Sequence, residues 1–84
     1  MDSADIKRRG MAVENMIQTD GWKYVEKYLA ERETQYINEL KKAENFRDVL
    51  RLQAQLEIIG RLRNTIVGWI REKNMTITDE GKDR

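Results

Sequence analysis

The side chains of this sequence that could do chemistry are carboxylates, arginines and aromatic rings, because the chain contains neither histidine nor cysteine. Two pairs of glutamates, Glu26 with Glu33 and Glu31 with Glu39, can be drawn on one helix. Paired carboxylates can act as general acid and general base. Charged residues along an exposed helical face usually contact only solvent, however, and we interpret these glutamates as solvated. We therefore expect a protein that is not an enzyme, without catalytic residues.

The missing residue types also argue against metal and cofactor sites. Histidine is the commonest metal ligand, and a metal site inside a helical bundle normally uses a Glu-x-x-His motif. Without cysteine, the chain can form neither a Cys-ligated zinc site nor a disulfide. The sequence predicts no metal and no cofactor.

The basic residues are unevenly distributed. Residues 45–73 contain six bases and three acids, whereas residues 20–44 contain five bases and six acids. The bases that could contact nucleic-acid phosphates are Arg47, Arg51 and Arg61, together with residues 7–9. Acids are interspersed, the pI is about 8.0 and no recognition motif is visible, which favours a solvated face over nucleic-acid binding. A small regulatory or nucleic-acid-associated adaptor is the alternative function.

Four aromatic residues are expected at one end of the molecule: Trp22, Tyr24, Tyr28 and Trp69. The simpler interpretation is an aromatic plug that closes the end of a helix bundle. Trp and Tyr also dominate the anchor residues of protein interfaces, so this end could face a partner protein.

Residues 45–73 carry the most regular pattern of the chain. Apolar residues recur at alternating spacings of three and four, and only Arg63 interrupts them. They are Val49, Leu52, Leu56, Ile59, Ile66 and Ile70. This spacing is the a/d seam of a helix packed on another helix, and we take these six residues as the core or oligomer seam.

The remaining elements follow from weaker patterns. We expect a flexible N-terminal arm over residues 1–10, a short helix over 11–18, helix A over 21–43, helix B over 45–73 and a polar flexible tail over 74–84. Asp20 is a candidate N-cap at a break before helix A, although one continuous helix from about Met11 also fits. Asn45 is a candidate N-cap of helix B, with Asp48 completing a shortened capping box.

The short connection at residues 44–45 predicts that helices A and B lie antiparallel as a hairpin. Residues whose numbers sum to about 88–90 then lie side by side. This register predicts two ion pairs between the helices, Glu26 with Arg63 and Arg32 with Glu57.

Helix B has more apolar surface than one partner helix can cover, through Leu50, Ile58, Leu62 and Val67. We therefore predict an all-α protein: an antiparallel two-helix hairpin with a short N-terminal helix, which forms a homo-oligomeric helical bundle, in the simplest case a dimer. The longest uncharged stretch, residues 64–70, is far shorter than the ~20 apolar residues of a membrane span, so no membrane partner is expected.

The Gly21–Trp22 start of helix A, its charged amphipathic continuation and a second helix with Gln53 and Gln55 resemble a group of known proteins. These are small helical-hairpin proteins of tailed bacteriophages and prophages, often encoded among head and packaging genes. The resemblance covers roughly residues 13–72. It implies a structural or assembly role in the host cytoplasm or the virion, with the chain itself and another phage structural protein as partners. It supplies no catalytic residues.

Overall fold

The computed structural model describes residues 1–82, which form three α-helices. Helix α1 is Ser3–Met16, α2 is Asp20–Lys42 and α3 is Phe46–Lys82. The predicted all-α class is confirmed. Both shorter helices pack on α3, which is 37 residues long and therefore spans ~55 Å at 1.5 Å per residue. The molecule measures 60 × 28 × 17 Å, so α3 determines its length.

Helices α1 and α2 lie along different halves of α3. Near the start of α3, Glu39 of α2 lines a shallow cavity with Arg51, and further along Trp22 lines a cleft with Ile66. Towards the end of α3, Lys7 of α1 binds Glu80, whereas Glu14, later on α1, binds Lys73, earlier on α3. Both shorter helices therefore run in the direction opposite to α3.

Helix α1 begins well before the predicted short helix. The Asp2 side chain caps it by accepting a hydrogen bond from the Asp5 amide at 2.9 Å, and the helix then continues without interruption to Met16. The predicted start at residue 11 is therefore wrong, and residues 3–10, predicted as a flexible arm, are helical. The physical reason is that this segment has both an N-cap and a partner surface on α3.

The predicted break between α1 and α2 is present, but its cap differs. Thr19, and not Asp20, is the N-cap of α2, because its hydroxyl accepts a hydrogen bond from the Trp22 amide at 3.1 Å. Asp20 lies one position later, in the first turn, where a carboxylate is favourable beside the positive end of the helix dipole. Residues 11–42 therefore form parts of two helices and not one.

The start of α3 has the predicted cap, and its end lies beyond the predicted one. Asn45 Oδ1 accepts a hydrogen bond from the Asp48 amide at 2.8 Å, and Asn45 Nδ2 donates to the Asp48 carboxylate at 2.9 Å. Residues 74–82, predicted as part of a flexible tail, are helical, and Glu80 there binds Ser3 and Lys7 of α1. Residues 83–84 of the predicted tail lie outside the described residues.

The core of the molecule is a single row of side chains on α3. Within residues 1–82, the buried apolar side chains are Leu52, Ile59 and Ile66, and Lys73 is buried at the next seven-residue interval. The other predicted seam residues, Val49, Leu56 and Ile70, are half-buried beside this row. A core one side chain thick buries little apolar surface for a chain of this length.

Candidate interaction surface

Arg63, the residue that interrupts the apolar seam, joins α2 to α3. Its Nη2 lies 2.9 Å from Glu26 Oε1, and its Nη1 donates to Glu33 Oε2 at 2.8 Å. The two carboxylates are seven residues apart on α2 and so lie on the same face of that helix. The predicted Glu26–Arg63 pair is confirmed, and the contact with Glu33 is not among the predicted pairs.

The hydrogen bond that Arg63 donates to Glu33 raises the pKa of the guanidinium above its ordinary value, and the nearby charges of Glu26 and Glu33 add to this effect against the opposing effect of desolvation. A raised pKa in the folded state means that the stabilisation is fully present below the ordinary pKa and is lost only as the pH rises past the folded one. Since both lie in strongly alkaline solution, Arg63 holds its two carboxylates throughout the neutral range.

The second predicted ion pair, Arg32 with Glu57, is wrong. Arg32 donates to Gln35 on its own helix at 2.8 Å and lies over the rings of Tyr28 and Tyr36, 5.9 and 5.3 Å from their centroids. Glu57 pairs with Arg61, one turn further along α3. Arg32 and Glu57 therefore each contact residues of their own helix and not each other across the α2–α3 contact.

Helix α1 crosses α3 at a glycine. A β-carbon placed on Gly10 would lie 2.8 Å from the Trp69 carbonyl oxygen and closer still to the Lys73 side chain. The absence of a side chain is therefore what allows the two helix backbones to approach at this point.

Ion pairs surround this crossing. Buried Lys73 donates to Glu14 Oε2 at 2.6 Å, and Arg9 donates to Glu72 Oε2 at 2.7 Å. The Arg9 guanidinium also lies 4.8 Å from the centre of the Trp69 ring. Ion pairs and one close backbone approach therefore hold α1 on α3. The cation–π contact contributes roughly a further 0.5–2 kcal/mol.

The four aromatic residues predicted at one end do not share one environment. Trp69 lies under Arg9 on the side of α3 that α1 covers, whereas Trp22 lines a cleft with Ile17, Ile66 and Val67. Tyr24 and Tyr28 are exposed on α2. No single aromatic plug closes this end of the described chain.

The arginines considered as phosphate contacts are exposed on one side of α3. At 100° per residue, Arg51 and Arg61 each lie about 40° around the helix from Arg47. Arg61 pairs with Glu57 at 3.8 Å. Of the N-terminal bases, Lys7 and Arg9 are held by Glu80 and Glu72. Acidic partners therefore neutralise part of the positive charge that was considered for phosphate binding.

Two flanks of the α2–α3 pair can be distinguished by which residues share a cavity. Glu39 of α2 and Arg51 of α3 line one cavity, and Glu26 and Val67 line another. At 100° per residue, the flank of Glu39 and Arg51 also contains four apolar residues, which we call the open face. The open face consists of Val25, Tyr28, Ile58 and Leu62, all of them exposed.

The open face belongs to a molecule with an unusually large surface. The accessible surface is 6615 Å², about 1,400 Å² more than the ~5,200 Å² typical of a compact monomer of this mass. The radius of gyration, 17.5 Å, likewise exceeds the ~12 Å of a compact chain of this length. The excess surface is partly apolar, since Ile58 is 65% exposed.

Comparisons with known proteins return no relative. No family model matches the chain, and no curated protein and no solved structure matches it either.

Within residues 1–82, no helix is both long and apolar enough to cross a membrane, and no three acidic side chains are grouped as metal ligands would be.

Proposed function

We propose that this chain is a non-enzymatic structural or assembly protein that functions as a homo-oligomer. In this proposal α2 and α3 form the antiparallel hairpin, α1 braces the far half of α3, and further copies complete the bundle. The observation that carries the proposal is the imbalance of apolar residues. Three apolar side chains are buried within residues 1–82, while the whole open face is in contact with solvent.

The physical argument is that of an incomplete core. Burial of apolar surface contributes about 25 cal/mol per Å², and a core one side chain thick collects little of it. Leaving four large apolar side chains together on one side forgoes this contribution, and such contiguous patches commonly mark interfaces. Association of copies supplies the cover that a single chain lacks.

The biological setting of the proposal comes from the sequence resemblance. The Gly21–Trp22 start of the first long helix and the glutamines Gln53 and Gln55 resemble those of small helical proteins of tailed bacteriophages. We therefore propose that the assembly belongs to a phage head or packaging module, where another structural protein would be its second partner.

Sedimentation velocity over micromolar to millimolar concentrations tests this function, with and without an added DNA duplex. A particle larger than one chain, unchanged by the duplex, is expected. A sedimentation coefficient of one chain at every concentration would contradict the proposal. Co-sedimentation with the duplex that disappears at high salt would favour the adaptor function instead, because phosphate contacts depend steeply on salt.

A further inference from the structure

We propose that the open face pairs with the open face of a second copy, with the two α3 helices antiparallel and centred near residue 55. The proposal rests on the self-association proposed above and specifies the surface and orientation that carry it. The interface is isologous, so each copy contributes the same residues, Val25, Tyr28, Ile58 and Leu62, to one closed dimer.

The accessible surface of the chain leaves room for an interface of ordinary size. A standard protein interface buries ~800 Å² on each partner. The chain exposes about 1,400 Å² more than a compact monomer of its mass, and the apolar residues of the open face contribute to that excess. Burial of ~800 Å² on each copy would remove more than half of this excess.

The position of α1 selects the centre and the direction of the pair. Helix α1 covers this flank of α3 from Trp69, which lies under Arg9, to Glu80, which binds Ser3. The stretch left open on α3, residues 46–65, is ~30 Å long and has its midpoint near residue 55. In a parallel pair the two α1 helices would lie at the same level and hold the faces apart. An antiparallel pair places each α1 beyond the end of its partner's open stretch.

Two matched substitutions test the face. Ile58 on the open face and Phe46, about 120° around α3 from it, are 65% and 74% exposed, so neither substitution removes a buried core residue. Ile58→Glu is expected to weaken dimerisation by ~100-fold, because it places an unpaired charge in the interface. Phe46→Glu is expected to leave the dimer unchanged. Far-UV circular dichroism of dilute samples checks that both variants are helical.

The possible outcomes distinguish a wrong choice of interface from a failure of the proposed self-association. A wild-type chain that is monomeric at millimolar concentration overturns both this inference and the proposed self-association. A wild-type oligomer that survives Ile58→Glu but dissociates with Phe46→Glu overturns the face and leaves self-association standing.

Spin labels test the orientation, and the chain has no native cysteine to interfere with labelling. The positions are Glu57→Cys, near the proposed centre, and Asn74→Cys, nineteen residues from it, both exposed. An antiparallel pair is expected to separate the Asn74→Cys labels by about 55–60 Å along the helix axis and the Glu57→Cys labels by only ~6 Å along it. Equal distances at the two positions would show a parallel pair and overturn the proposed orientation.

Discussion

Gly10 of α1 lies directly against Lys73 of α3, so closely that a β-carbon at residue 10 would clash with the lysine side chain. This contact sets the distance between the two helices. It also explains how a lysine is buried, 6% exposed, in a molecule with so small a core. The stem of Lys73 packs beneath the glycine while its ammonium reaches Glu14 at the edge.

Replacing this glycine is expected to release α1. Gly10→Ala should destabilise the protein, because the added methyl meets the Trp69 carbonyl and the Lys73 side chain. Gly68→Ala is the matched control, since no described atom would lie within 4 Å of its β-carbon. Alanine should there stabilise the helix by roughly 0.5–1 kcal/mol. Urea unfolding at one fixed protein concentration compares the two. Equal stabilisation by both substitutions would show that the helices do not meet at Gly10.

The buried ion pair should respond unequally to the loss of its two members. Glu14→Ala leaves the Lys73 ammonium buried without its carboxylate and should cost ~1–3 kcal/mol, less than a fully buried pair because Glu14 is partly exposed. Lys73→Met keeps a packed stem and removes the charge, and should cost less than ~1 kcal/mol. Chemical denaturation of both single variants and the double variant measures the coupling. A larger loss for Lys73→Met than for Glu14→Ala would contradict this account.

The two carboxylates that share Arg63 should behave non-additively. Glu26→Gln or Glu33→Gln alone leaves the guanidinium with one carboxylate, and each should cost less than ~1 kcal/mol. The double variant should cost more than the two single losses together, because Arg63 then has no carboxylate partner. Glu57→Gln, which removes an exposed 3.8 Å pair with Arg61, serves as control and should change stability by less than ~0.5 kcal/mol. Strict additivity in the double-mutant cycle would show that the bridge is not shared.

A buried amide oxygen offers a stabilising substitution. Within residues 1–82, Gln55 Oε1 is buried and accepts no hydrogen bond. Gln55→Met keeps a similar volume and removes this unsatisfied acceptor, so it should stabilise the protein by ~1 kcal/mol. Gln53→Met, on the exposed side of the same helix, should leave the unfolding midpoint nearly unchanged. Destabilisation by Gln55→Met would indicate that the glutamine has a partner in solution.

The sequence predicts those parts of this fold that depend on apolar periodicity or on short-range capping. The seam from Val49 to Ile70, the cap at Asn45 and the Glu26–Arg63 pair all follow from spacing within a helix or across a short turn. Helix α1 does not, because its packing depends on a close approach at Gly10 and on ion pairs with residues more than fifty positions away. By intrinsic propensity alone, Gly10 lowers the stability of a helix. Its role in the close approach of α1 to α3 becomes apparent only from the position of Lys73.

The sequence does not predict the C-terminal part of α3, for a related reason. Residues 74–82 are mostly polar and show no seam of their own, so nothing local indicates that they continue a helix. They are helical in a region where α1 lies alongside and where Lys7 reaches Glu80 at 2.8 Å. In the Arg32–Glu57 prediction, local contacts outweigh distant ones. Tyrosines and a glutamine on α2 are nearer partners for Arg32 than Glu57 on α3.

The particle mass in solution tests the central claim most directly. Light scattering coupled to size-exclusion chromatography of the wild-type chain, at near-millimolar loading, is expected to give at least twice the 10.0 kDa of one chain. A mass of 10.0 kDa that holds at every loading would mean that a single chain is stable with its open face in water, and would contradict the account.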